Sequence, residues 1–473
     1  MDGFIHQSFD YRGDGRDIFR LFQNEPHLFF LHSSFEDKER GRYSFIGFDP
    51  FEVVQHNGKA ALDVLREKYI RYKNTDGDSV SPLTAGMVGF LSYDFGRYGE
   101  KIIPHSQNDL NTPDCWFGFY DRVITIDHFA KKIHVTSSGN PEQYSEARER
   151  RAKERLDQVL KILSRRELSP VPSRKIVTGD LDQDHSPAFI SNLDKRTYIA
   201  AVHKALDHIA RGDIYQVNLA QRFHVDVSGL RPDPLDIYDE LSWLSPSPFG
   251  GYFDCGPFKV ISSSPERFLK IKDGIIETRP MKGTRPRSVD PDEDRRMLDE
   301  IKRSVKEKAE LLMITDLERN DLGKVCRYGT VRVKDMRTIE PYKTVFQATS
   351  TVEGELRGHV DPFDCLKACF PGGSVTGCPK VRAMNLIEAL EPHRRGIYTG
   401  SAGYISFSGN MDMNILIRSL LLTGESIYFH VGSGIVADSN PEDEYHETLL
   451  KAKAIRQCLN TVLSKRRMSV PVP

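Results

Sequence analysis

Apolar residues between His27 and Ser138 come in short alternating or continuous runs, broken by Gly, Asp, Pro and Ser. "HLFFLHSS", "GRYSFIGFDPF", "AGMVGFLSYDF", "DRVITIDHF" and "KKIHVTSS" have the period and the bounds of strands in a largely antiparallel sheet. From Pro141 to Arg166 the pattern turns helical and heavily charged. Residues 167–189, rich in Pro, Ser and Asp, predict a linker between an N-terminal region (1–166) and a C-terminal region (190–465). Beyond it, Tyr198, Val202, Ala205 and Ile209 share one helical face, with Gly212 placed as a stop. "IYQVNLAQRFHVDV" alternates as a strand, and one long charged helix is expected from about Asp292 to Leu317, ending near Gly323. A closing helix starts at Asn440-Pro441, an N-cap followed by proline at the first helical position. Strands and helices without regular βαβ alternation predict an α+β fold.

Composition narrows the class. A formal net charge of −1 gives no basic excess for nucleic acid. The seven cysteines are scattered, odd in number and form no CxxC pair, so a disulfide framework or zinc ribbon is not expected and a reducing cytoplasm fits. The start, "MDGFIHQSFDYRGDG", is acidic where a signal peptide is basic, and "HLFFLH" is far too short to span a bilayer, so no membrane association is expected.

Several residues could carry chemistry. Glu307 and Glu310, and again Glu444 and Glu447, stand three apart on charged helical patterns, so each pair shares a face. Two such faces opposed could offer carboxylates to one Mg²⁺, with Lys451 one turn beyond Glu447; ordinary solvated surface explains either pair alone. "HVGSGIVADSN" packs Gly432, Ser433 and Gly434 at the end of an apolar strand, which suits either an anion-binding nest or a tight turn. Arg418 lies between apolar residues and needs a partner, either a ligand carboxylate or a core acid such as Asp412. "IETRPMKGTRPR" sets Lys282 among Arg279, Arg285 and Arg287. "FPGGSVTGCPK" has Walker A spacing in Gly372 and Gly377, but Cys378 and Pro379 stand where that loop requires Lys and Ser/Thr, so it is not a P-loop.

Taken together, "GRYSFIGFDP", "GDIYQVNLAQRF", "SSSPERFL", "TRPMKGTRPR", "AELLMITDLERNDLGKV", "PGGSVTGCPKVRAM", "GSAGYISFSGNMDMNILIRS" and "GSGIVADSNPEDEYHETLLKA" resemble, in order, the motifs of the chorismate-utilising enzymes. This family includes the component I subunits of aminodeoxychorismate synthase and anthranilate synthase. The resemblance implies a large αβ sandwich with antiparallel sheets facing each other across the chorismate site. It implies Glu310 and Glu447 as direct Mg²⁺ ligands, supported by Glu307 and Glu444, and Lys451 beside the ring carboxylate. Gly283 and Thr284 follow as substrate neighbours. Arg418, Tyr404 and the amides of Gly432, Ser433 and Gly434 would hold the enolpyruvyl carboxylate. Glu266 of "SPERF" resembles the family's general acid/base.

The branch turns on Lys282. Anthranilate synthases resemble "PIAGT" here and aminodeoxychorismate synthases "PIKGT"; this chain reads "PMKGT". A lysine can attack C2 of chorismate and expel the C4 hydroxyl by allylic shift, after which ammonia enters at C4. The three arginines, with burial, are expected to lower its pKa. Gln216, where water-using relatives carry a lysine, disfavours those branches. Gln347 replaces a common histidine, and Cys378 a common alanine, read as a small core residue. No G-x-C-x-G nucleophile turn is present, so ammonia is expected from a separate glutamine amidotransferase subunit, and the expected product is 4-amino-4-deoxychorismate, for folate. His32, Ser34 and Tyr43 resemble part of a region where some relatives hold tryptophan. Anthranilate synthesis and a non-catalytic regulatory subunit are the competing readings.

Overall fold

The computed structural model describes residues 4–34, 41–74, 80–164, 188–342 and 345–469, with side chains to residue 465. The linker expected at 167–189 lies almost wholly outside them. Two antiparallel sheets, one of 12 strands and one of 10, stack face to face among the described residues. The first includes Phe29–His32, Gln216–Asp226, Phe249–Asp254, Phe258–Ser264 and Ser426–Ile435; the second includes Gly86–Leu91, Cys115–Tyr120, Met281–Pro286, Val345–Glu355 and Ser401–Ser406.

Strand alternation explains why both faces are dry. Val88 and Phe90 point into the inter-sheet core against Phe29, Phe45, Phe253 and Val260. Their neighbours Met87 and Leu91 point outward and pack with Leu62 and Leu65 of the helix Ala61–Tyr72 and with Phe363 of Pro362–Cys369. "GMVGFL" and "CWFGFY" are therefore buried at every position, and each large side chain removed from water contributes roughly 1.5–3 kcal/mol. Gly89 is fixed by close approach: a Cβ there would stand 1.9 Å from the Trp116 carbonyl oxygen. Helices Pro234–Leu244 and Pro441–Ser469 cover the outer face of the first sheet through Leu241, Ile455 and Leu459.

Three expectations change. Phe29–His32 pairs with Phe249–Asp254, and Gly86–Leu91 with Ser401–Ser406, so both sheets mix strands from either side of residues 167–189. The compositional boundary does not divide the fold. The long helix is two, Pro291–Arg303 and Val305–Gly323, because Ser304 leaves helical geometry and its hydroxyl accepts from the Glu307 amide as an N-cap. The triplet Gly432–Gly434 sits within the strand Ser426–Ile435, not in a turn or nest. All seven thiols are free. No helix among the described residues is long and apolar enough to cross a membrane.

Candidate active site

Strand Gln216–Asp226 pairs with Ser426–Ile435 so that Asn218 lies opposite Gly434 and Ala220 opposite Gly432. Strand Ser419–Thr423 pairs with the other edge only as far as Leu420 opposite Phe429. The glycine-bearing end therefore forms an open floor. Lys282 enters from the second sheet, opposite Ala348, just before a bulge at Gly283, whose φ is 83°. Its amine donates to the Ser374 carbonyl at 3.3 Å, and a Cβ on Gly434 would stand 3.4 Å from Nζ. Glycine at 434 keeps the space beside the amine clear.

Burial pushes the Lys282 amine below its ordinary pKa; Lys451 adds to that, while Glu310, Glu266 and Glu447 oppose it. The arginines are not the cause. Arg279 pairs with Glu340, Arg285 with Glu300 and Glu307, and Arg287 with Asp294. Glu266, buried at 3% exposure, has its carboxyl raised to about 7 by desolvation, against a hydrogen bond from Ser374 and the charge of Lys282. A depressed amine thus sits beside an elevated carboxylic acid, and both touch Ser374.

The two acidic helices flank this floor. Burial raises the Glu310 carboxyl, with Glu447 and Glu307 adding to it and Lys282 opposing. Glu447 moves the other way: despite burial it is lowered, chiefly by Lys451, which it meets at 2.7 Å. Lys451 also donates to the Gly432 carbonyl at 2.9 Å. Glu444 is held from behind by the hydroxyls of Ser433 and Ser439. Glu307 meets Arg285 through one oxygen at 2.7 Å, and among the described residues its other oxygen is buried without a partner. A Cβ on Gly283 would stand 2.8 Å from that free oxygen. The donor set is all carboxylate, and Glu310 and Glu447 repel each other, so a hard divalent cation fits. No three such groups among the described residues close a shell by themselves; other oxygens must complete it.

Arg418 is half-buried, and among the described residues no carboxylate pairs with it; its Nη1 donates to Ser245 Oγ at 3.4 Å. Asp412 binds Arg267 instead, at 2.9 and 3.0 Å. Arg418 also adopts φ of 50°, a left-handed conformation that costs a non-glycine residue on the order of 1 kcal/mol.

A sequence profile described as chorismate binding enzyme matches residues 29–457. The chain belongs to the chorismate-binding enzymes. Aminodeoxychorismate synthase component 1 of Bacillus subtilis is 35% identical over 93% of this chain and 93% of its own length. Anthranilate synthase component 1 of Aquifex aeolicus is 39% identical over 89% of this chain and 81% of its own. The crystal structure of anthranilate synthase component I from Streptococcus pneumoniae superposes with a TM-score of 0.76 at 32% identity, over 89% of this chain and 94% of that one.

In this chorismate-binding enzyme the structure separates one expected residue from the rest. Tyr404 packs 5.4 Å from Phe45 and lines a different cavity. Tyr398 is the tyrosine that borders Gly432: its ring stacks 5.0 Å from His430, and a Cβ on Gly432 would stand 2.8 Å from its hydroxyl. Ser374, bonded to both Lys282 and Glu266, also went unread in the sequence. Thr284 is exposed, opposite Gln347 in the ladder. Gln216 Nε2 would lie 3.2 Å from a Cβ on Gly434, and both its amide atoms are buried without partners among the described residues; so is Gln347 Oε1.

The cavity at Tyr404 has a volume of about 700 Å³ and is bordered by His32, Arg42, Tyr43, Arg267 and Asp412. Neither Lys282 nor Glu266 lines it. His32 bonds Tyr238 at 2.7 Å and is lowered to about 3 by burial, so it is neutral. Ser34 exchanges hydrogen bonds with Ser247.

Proposed function

We propose that this enzyme is component I of an aminodeoxychorismate synthase, aminating chorismate at C4 with ammonia from a separate glutamine amidotransferase. One observation carries the reading: the Lys282 amine, depressed by burial, reaches the clear space over Gly434 while Glu266, raised to about 7, shares Ser374 with it. Neutral Lys282 attacks C2 of the ring, the double bond shifts, and the C4 hydroxyl leaves as water with the proton of Glu266. Ammonia then attacks C4, the shift reverses, and Lys282 departs as the neutral amine. The new C4 ammonium returns a proton to Glu266, so both groups end as they began.

The residues present fit a magnesium ion. Glu310 and Glu447 would hold it, with Glu307 and Glu444 behind them, and it would neutralise the ring carboxylate. Arg418, with no acidic partner, supports a role at the second carboxylate, and Lys451 neutralises charge at the mouth. The cavity beside Tyr43 and Tyr404 is the place where tryptophan would bind.

Identities to anthranilate synthases as high as 39% favour a second reading, C2 amination to anthranilate. Incubation with chorismate, Mg²⁺ and an ammonium salt, with products separated by chromatography, decides between them. Aminodeoxychorismate is expected from the parent, with loss of more than roughly a thousandfold in Lys282→Ala, the order of effect for removing a catalytic nucleophile. Anthranilate as the sole product, or an unaffected Lys282→Ala variant, overturns the proposal.

A further inference from the structure

One buried polar side chain on the floor has no assigned role. Asn218 follows Gln216 by two residues on strand Gln216–Asp226, so both project from the same face toward the glycine-bearing strand. Asn218 is 7% exposed, and its Nδ2 makes no hydrogen bond among the described residues. Burial raises the Tyr398 hydroxyl to about 12, and the nearby Asn218 side chain is one of the groups that oppose the rise. A Cβ on Gly432 would lie 3.0 Å from Asn218 Nδ2 and 2.8 Å from Tyr398 Oη, so two donors border one bay that glycine leaves open. The Leu219 carbonyl that also borders it is occupied by the Tyr198 hydroxyl at 3.1 Å.

The backbone around this amide is pinned. The Asn218 N–H donates to the Thr376 carbonyl at 2.8 Å, and Arg395 donates to the Asn218 carbonyl at 2.7 Å. Arg395 also donates to the Val375 carbonyl at 3.0 Å, beside Ser374, and lies 5.6 Å from the Tyr398 ring centre. A buried donor left unpaired costs roughly 1–3 kcal/mol. Held rigidly on a substrate floor, such a donor is preorganised for a ligand.

We propose that Asn218 is a substrate-binding residue whose amide, with the Tyr398 hydroxyl, donates to the carboxylate of the chorismate side chain over Gly432. The proposal rests on the chorismate reading of the site given above. Spacing selects which carboxylate. Gly432 and Gly434 are two residues apart on one strand, roughly 6.6 Å, and Lys282 attacks the ring beside Gly434. A carboxylate bonded to the ring carbon next to the one attacked stays near Lys282 and the acidic helices. One carried on an ether-linked enolpyruvyl arm reaches the Gly432 bay.

The test is calorimetric binding with Mg²⁺ in the full-length Lys282→Ala protein, which cannot turn the ligand over. Two ligands are compared: chorismate, with both carboxylates, and benzoate, with the ring carboxylate alone. Asn218→Leu, close in volume, is expected to weaken chorismate binding about tenfold, the equivalent of one hydrogen bond to a charged group. Asn218→Asp, the same shape with a like charge, is expected to weaken it more than about a hundredfold. Benzoate should bind parent and variants alike. In the Lys282-containing enzyme, Asn218→Leu should raise KM with little change in kcat. Unchanged chorismate binding in both variants, or equal loss of benzoate, overturns the assignment. Failure of the parent itself to bind chorismate overturns the reading of the site, and the assignment with it.

Discussion

Replacing Arg418 by methionine should weaken substrate binding and leave the protein as stable as before, or more so. The guanidinium is half-buried, its charge is disfavoured by desolvation, and among the described residues its side chain has only a long contact to Ser245. A ligand carboxylate would supply two charge-assisted hydrogen bonds at roughly 1.5–3 kcal/mol each. Losing both costs about 3–6 kcal/mol, or roughly a hundredfold to ten-thousandfold in affinity. Methionine keeps most of the volume and removes a charge whose desolvation no described acid offsets, a cost of several kcal/mol in the free enzyme. The backbone strain at φ of 50° is the same for either residue and cancels. Steady-state KM for chorismate, or calorimetry in the Lys282→Ala background, measures the first effect; thermal unfolding without ligand measures the second. A lower melting midpoint with unchanged affinity would refute the reasoning, because it would make Arg418 a structural cation.

Glu266 gives a pH signature. Below about 4.5 its carboxyl is protonated in both the folded and unfolded chain; between there and about 7 only the unfolded chain releases the proton, so stability falls by about 3 kcal/mol and then levels off. Urea unfolding of Glu266→Gln should therefore show a gain over the parent at pH 8 that is absent at pH 4. Activity should decline as pH rises through about 7, as the acid that protonates the leaving hydroxyl is lost, and equal pH profiles in parent and variant would refute this. For the metal, saturating Mg²⁺ at a hundred times its dissociation constant should stabilise the parent by about 2.7 kcal/mol in thermal unfolding. Glu310→Gln should lose most of that shift, and an undiminished shift would remove Glu310 from the metal site.

Much of the candidate site is legible in one dimension because the signals are local. Glu307 with Glu310, and Glu444 with Glu447, share faces by helical period alone, and Lys282, Arg418 and Glu266 stand out as polar groups inside patterned segments. Tyr398 and Tyr404 show where local signals stop. They are six residues apart, and what separates them is that Tyr404 is fixed within strand Ser401–Ser406 while Tyr398 precedes it in a turn and borders Gly432. The arginines around Lys282 mislead for a similar reason: adjacent in sequence, each is satisfied by an acid on another segment. Ser304 splits a helix that periodicity alone continues, because its capping bond ends one helix and starts the next.

The sequence by itself determined the α+β class, the paired acidic faces, the lysine between a Pro-Met and a Gly-Thr pair, and the family resemblance, because period, residue chemistry and motif order need no knowledge of partners. Tertiary structure decided which of those groups meet. Only folding brings Lys282 from one sheet to the glycine floor of the other, leaves Arg418 without an acid and the Asn218 Nδ2 without a bond among the described residues, and sends Tyr404 to a separate cavity. Contacts between distant segments depend on sheet register and on which face each strand turns inward. A burial-shifted pKa, or an unpaired donor, exists only once those faces have closed.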